Sequence, residues 1–107
     1  MISKFPKVED NNIEEVIRYN KKLLIIFSSK GCGYCQLSKN NLLEVIDNFP
    51  ELAIYECMIS KAPKTIARYN ISSVPILKLF SDGKLVYTGF GVRNPNDLYY
   101  QLKSFFL

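Results

Sequence analysis

Hydrophobic positions along this chain change their period several times, and each change marks a predicted element. Residues 2–8 suit a short edge strand. Asn12 then stands as a helix N-cap. Glu15, three positions later, completes a capping-box pattern, and Ile13, Val16 and Ile17 follow at helical spacing up to about Asn20. Residues 23–27, Leu-Leu-Ile-Ile-Phe, are continuously apolar and partly β-branched, as a central strand covered on both faces requires. A loop over 28–31 follows. Leu42, Val45, Ile46 and Phe49 then repeat at i, i+3, i+4 and i+7, which predicts an amphipathic helix over about 33–48, closed by Pro50. Residues 52–59 read as a second strand. Residues 61–69 read as a short helix with Pro63 in its first turn, where a missing N–H costs nothing. Residues 74–80 are strand-like, Asp82-Gly83 is a two-residue hairpin turn, and 84–88 return antiparallel. Asn94 caps and Pro95 opens a last helix, whose apolar face is Leu98, Leu102 and Phe105 with Tyr99 and Phe106 alongside.

The order is therefore β-α-β-α-β-α-β-β-α. Strand, long helix, strand is a crossover unit and forces a parallel pair, while the late hairpin adds antiparallel strands. The expected class is α/β: a mixed central sheet of about four to five strands flanked by about four helices. The 107 residues fit one domain, 1–107, and with 48% hydrophobic residues that domain can bury a core without a structural disulfide or metal.

Composition narrows the chemistry. The formal charge is +4, but apart from Lys21-Lys22 the cations are scattered singly among acids, which is a solvated basic surface and no nucleic-acid face. The N-terminal residues carry no apolar h-region, and the apolar run at 23–27 is far too short to span a bilayer, so the expectation is a cytoplasmic protein without a membrane partner. The absence of histidine removes Cys-His catalysis and every histidine metal site, and three cysteines fall short of a four-thiolate zinc site, so no metal site is expected.

Two of the cysteines form the tetrapeptide Cys32-Gly33-Tyr34-Cys35. A lone C-x-x-C can be half a zinc site, a structural disulfide or chance, so its placement matters more than its spacing. Here a loop after a central strand delivers Cys32 to the start of a helix. The unsatisfied N–H donors and partial positive charge of a helix N-terminus favour a thiolate over a thiol, and only the thiolate attacks a disulfide. Lys30 adds a nearby cation, while Gly31 and Gly33 leave the Cys32 sulfur open to a large substrate. Residues i and i+3 share a side of a helical turn, so Cys35 can reach Cys32 from a more buried position. Cys32 would then be the nucleophile and Cys35 the resolving thiol of a dithiol–disulfide exchange. Cys57, mid-strand, reads as inert core.

At these residues the chain resembles the thioredoxin superfamily, and thioredoxin-type members more than glutaredoxin-type ones. The resemblance rests on Cys32-Gly33-Tyr34-Cys35 after a buried strand, on Val74-Pro75, on the hairpin Phe80-Ser81-Asp82-Gly83-Lys84, and on Gly91 before the last helix. It implies a thioredoxin fold and a cis bond between Val74 and Pro75. It also implies a substrate groove in which the Val74 backbone pairs with an extended segment, with Phe90 and Gly91 as the other wall and Gly33 and Tyr34 beside the cysteines. Departures are equally informative. Gly31 stands where the family usually has Trp, Tyr34 where it has Pro, Ile26 where it buries an Asp that relays a proton, and Glu56 where it has a Lys. The last two suggest that Glu56 supplies the proton-accepting carboxylate from the adjacent strand, against the alternatives of a solvated Glu56 or of water as base. Alternation puts Glu56 on the opposite face from Cys57.

The resemblance thus implies a protein disulfide reductase with no bound cofactor, working as a monomer and recharged by a partner such as thioredoxin reductase. The alternatives are a disulfide oxidant or isomerase, a glutaredoxin-like enzyme, and a thioredoxin-fold binding module with little turnover.

Overall fold

The computed structural model describes residues 5–106. The run at 23–27 forms the centre of β2 (Lys22–Ser28), and all five of its residues are fully buried, because helices cover both faces of the sheet. Its neighbours are β3 (Ala53–Met58), parallel, and β4 (Ile76–Ser81), antiparallel. Strand β1 (Lys7–Val8) adds parallel to β3, and β5 (Lys84–Phe90) adds antiparallel to β4, giving the order β1-β3-β2-β4-β5 among the described residues. The parallel β2–β3 pair follows from the crossover through α2 (Gly33–Val45). The β4–β5 hairpin turns on Asp82 and Gly83, whose φ values of 50° and 82° are those of the tight turn that matches strand twist.

Alternation along β2 divides the core. Leu24 and Ile26 join Leu77 and Leu79 beneath α2 and α4 (Pro95–Phe106). Leu23, Ile25 and Phe27 join Ile76 and Phe80 on the other face, with Ile13 and Ile17 of α1 (Ile13–Tyr19) and Ile66 of α3 (Pro63–Arg68) packed against them. Among the described residues, the mixed sheet of five strands with four α-helices is the predicted class.

Differences from the sequence reading are local. Of the predicted strand at 2–8, the described residues form β1 at Lys7–Val8, and residues 1–4 lie outside the described residues. The predicted helix over 33–48 is α-helical to Val45 and tightens to a 3-10 turn over Ile46–Asn48 before Pro50. The short helix predicted over 61–69 starts at Pro63, after a 3-10 turn over Ile59–Lys61. In α4 the third buried position is Phe106, since Leu98, Leu102 and Phe106 recur every four residues. Phe105 is displaced outward and rests its ring against Tyr87, at 5.7 Å between centroids.

The capping box expected at Asn12 and Glu15 does not form. The Asn12 carboxamide accepts the Glu9 amide at 2.8 Å instead, and Glu15 is exposed. The neighbouring Asp10 caps a different helix: its carboxylate accepts the Lys64 and Thr65 amides, each at 2.9 Å, and the Thr65 hydroxyl at 2.8 Å, at the start of α3. Desolvation pushes the Asp10 carboxyl up, but these hydrogen bonds and the Lys64 charge more than reverse it, so its pKa lies below the ordinary 3.8. A folded pKa below the unfolded one gives stability that is complete above the unfolded pKa and is lost as pH falls through the folded one. Asp10→Ala is therefore expected to lower the melting temperature at neutral pH, and the gap from wild type is expected to narrow below about pH 4. A gap that is constant down to about pH 2 would show that the carboxylate charge is irrelevant to the cap.

Candidate active site

The loop leaving β2 turns at Gly31, whose φ of 75° is costly for any residue with a Cβ. The next residue, Cys32, takes the N-cap position of α2 in extended conformation, φ −85° and ψ 105°. Its sulfur accepts the Cys35 amide at 3.1 Å, as the oxygen of a serine or aspartate does at an ordinary N-cap. Cys32 and Cys35 are joined as a disulfide with their Cα atoms 5.2 Å apart. Burial separates the two thiols: Cys32 is partly exposed, whereas Cys35 is 1% exposed beneath the first turn. Gly33 and Tyr34, between them, face outward, with Tyr34 at 72% exposure.

The segment before β4 reaches the same end of the sheet, because Ile76 stands opposite Phe27, the next-to-last residue of β2. The Val74–Pro75 bond is cis, as the resemblance implied. Pro75 is buried and Val74 half-buried. The Gly91 amide donates to the Pro75 carbonyl at 3.0 Å, and Phe90 pairs with Ile76, so the ends of β4 and β5 are tied together there. Phe90 is 64% exposed and Gly91 has a φ of 74°. Val74, Pro75, Phe90 and Gly91 are thus brought together as expected.

Glu56 is not solvated, which removes one of the alternatives raised from the sequence. Its side chain is fully buried on the face of β3 that lies under α2, in register with Ile26 of β2 and Lys7 of β1. The carboxylate accepts the Lys7 and Lys39 ammonium groups at 2.7 Å each and the Ser28 hydroxyl at 2.5 Å. It also lines the same cavity as Cys32 and Cys35. Where the resemblance leads one to expect an aspartate on β2, Ile26 is buried in the apolar core, and the buried carboxylate sits one strand over at the same level. Cys57, on the opposite face as alternation required, belongs to the buried cluster that includes Val8, Phe27 and Ala62.

Sequence reasoning missed Lys39, Lys7, Ser28 and Ser38. Two of these carry a readable signal. Lys39 and Ser38 follow Cys35 at i+4 and i+3, on the face of α2 turned to the sheet. The Ser38 hydroxyl is fully buried and has no hydrogen-bond partner among the described residues. The Lys7 contact depends on strand pairing across 49 positions and has no local signature.

Burial, and then the charges of Asp10, Glu9 and Glu56, push the Cys57 thiol up to about 12. It is accordingly expected to resist alkylation at about pH 8 while the reduced protein is folded. Cys32, the partly exposed thiol, should react with iodoacetamide in the native reduced protein, and Cys57 only after denaturation. Three equally fast thiols in the native protein would contradict this burial.

Comparison with known proteins agrees with this geometry. The family model for thioredoxin matches residues 4–104. The thioredoxin-like protein YusE of Bacillus subtilis is 35% identical over 73 residues, covering 68% of this chain and 69% of that protein. A thioredoxin of Chlamydia trachomatis is 32% identical over 76 residues, covering 71% and 74%. The crystal structure of oxidized mitochondrial thioredoxin 3 from Saccharomyces cerevisiae superposes with a TM-score of 0.84 at 25% identity, covering 94% of each chain. Likeness of this extent, around a cysteine pair that has already closed its disulfide at a helix N-terminus, makes the chain a member of the thioredoxin family and a thiol–disulfide oxidoreductase.

Proposed function

We propose that this protein reduces disulfides in protein substrates, with Cys32 as nucleophile and Cys35 as resolving thiol. One observation carries the assignment of roles: the Cys32 sulfur is the partly exposed one and takes the N-cap position, where the Cys35 amide and the helix dipole stabilise a thiolate. Cys32 attacks the substrate disulfide and forms a mixed disulfide. Cys35 then attacks Cys32, which restores the internal disulfide and releases the reduced substrate.

An extended substrate segment would lie along Val74 and Pro75, pairing with the Val74 backbone, with Phe90, Gly91, Gly33 and Tyr34 around the reacting sulfur. Glu56 acts as proton acceptor for Cys35, a role supported by its full burial and by the cavity it shares with both cysteines. The relay predicts that Glu56→Gln changes the pH dependence of reduction; an unchanged profile would leave water as the base. The reading further places the protein in the cytoplasm, as a monomer recharged by a reductase such as thioredoxin reductase. The free, buried Cys57 suits such a reducing compartment.

The direction of electron flow is tested by equilibrating the Cys32–Cys35 pair with glutathione redox buffers. A potential below that of the cytosolic glutathione pool is expected of a reductant. A potential above it would make the protein an oxidant or isomerase.

A further inference from the structure

The cysteine pair faces a second concavity besides the Val74–Pro75 groove. An open cleft of about 550 Å³ is bounded by β1, the β2–α2 loop, α2 and β3, and both cysteines line it. Ser29, Gly31 and Gly33 contribute little side chain to its lining. Lys7, Lys30 and Lys39 line it against a single carboxylate, that of Glu56, which sits buried at its floor. Among the described lining residues, three ammonium groups therefore face one carboxylate. Lys30 is exposed, and about half of the Lys7 side chain is in solvent. The cleft has the volume of a small-molecule site, in the range of about 300–1,000 Å³, and polar Gln36 and Ser29 add hydrogen-bonding groups to its wall.

We propose that this cleft binds a low-molecular-weight thiol bearing one or more carboxylates, and that such a thiol reduces the Cys32–Cys35 disulfide directly. The lysines select the carboxylates and concentrate thiolates, and the sulfurs at the cleft wall select a thiol among small anions. The inference rests on thiol–disulfide exchange at this pair, and it adds a route to the reduced state that needs no protein reductase.

The thiolate of one small molecule attacks the sulfur of Cys32, forming a mixed disulfide. The Cys32–Cys35 bond breaks, its electron pair leaves on Cys35, and Cys35 takes up a proton. The thiolate of a second molecule attacks the small-molecule sulfur of the mixed disulfide and releases the Cys32 thiolate. Two small thiols are oxidised to one disulfide, and the protein disulfide is reduced to two cysteines.

The test measures how fast the oxidised full-length protein is reduced by mercaptosuccinate, 2-mercaptoethanol and cysteamine, which are anionic, neutral and cationic thiols. Reduction is followed by the mass gained on alkylating the released cysteines, and rates are expressed per thiolate at low salt. The expected order is mercaptosuccinate, then 2-mercaptoethanol, then cysteamine, with mercaptosuccinate ahead of 2-mercaptoethanol by about fivefold or more. The mercaptosuccinate rate should saturate with concentration and be slowed competitively by succinate. Lys30→Glu should shrink the ratio of the anionic to the neutral rate; this ratio cancels any change that the substitution makes to the cysteines themselves. Equal rates per thiolate, or a preference that neither saturates nor responds to succinate, would overturn the proposal, the second because it would reflect only the protein's overall positive charge. Insulin reduction driven by dithiothreitol separates the two levels. If the wild-type protein lacks it, exchange at the cysteine pair fails altogether, whereas if it is present without the anionic preference, only the cleft assignment fails.

Discussion

Cys32→Ser is expected to abolish disulfide reduction, and Cys35→Ser is expected to arrest it after the first chemical step. The two outcomes differ because the two sulfurs occupy different positions. Cys32 is the partly exposed sulfur at the N-cap of α2, so its loss removes the only thiolate that a large substrate can reach. Cys35 is buried one turn in and meets no substrate directly. Without it the Cys32 attack still occurs, and the mixed disulfide accumulates because nothing resolves it. Incubating each variant with a disulfide-bonded protein and running non-reducing gels distinguishes them. Cys35→Ser should give a covalent adduct that dithiothreitol dissolves, and Cys32→Ser should give none. An adduct formed by Cys32→Ser through Cys35 would reverse the assignment.

The second large effect concerns stability. Glu56 holds Lys7 and Lys39 together with Ser28 under α2, and only 12% of the Lys39 side chain is exposed. Removing the carboxylate alone leaves Lys39 as a nearly buried, uncompensated charge. Glu56→Leu is therefore expected to destabilise the protein by about 3 kcal/mol, near the lower end of what breaking a buried ion pair costs, because Lys7 can turn to solvent. Replacing both buried partners behaves differently, since a well-packed apolar pair avoids the desolvation that the ions incur. Glu56→Leu combined with Lys39→Met should recover most of the loss, a coupling of about 2 kcal/mol in urea unfolding. Strict additivity of the two substitutions would show that the ion pair does not hold α2 to the sheet.

Much of this architecture is legible in the sequence because it is set by local period and by turn chemistry. Five successive apolar residues at 23–27 admit a strand buried on both faces, and Asp82-Gly83 admits little except a hairpin. The cysteine pair is legible for a related reason: strand, short loop and helix start fix its position without any long-range information. What escaped depends on competition or on pairing across the chain. Asn12 has the right residue type for an N-cap, yet a tight turn with Glu9 claims its side chain, while Asp10 reaches across to α3. Phe105 and Phe106 differ by one helical step, and the four-residue recurrence from Leu98 selects Phe106 for burial. The position of Glu56 was readable by alternation, but its partners were not. Lys7 arrives through β1 pairing with β3, and Lys39 arrives from a helix whose rotation the apolar pattern defines only coarsely.

The displaced carboxylate also bears on mechanism. Ile26 and Glu56 stand side by side in register, so where the resemblance leads one to expect a carboxylate on β2, the buried acid stands on β3 at the same level. The buried carboxylate lies under α2, where the Lys7 and Lys39 ammonium groups meet it.

The most direct test of the account is catalysed reduction of insulin disulfides with dithiothreitol as the electron source, with this protein present at substoichiometric amounts. Exchange through Cys32 and Cys35 predicts precipitation of the insulin B chain well ahead of dithiothreitol alone, at a rate proportional to the protein added. A rate equal to that of dithiothreitol alone would contradict it and leave a thioredoxin fold that binds without turnover.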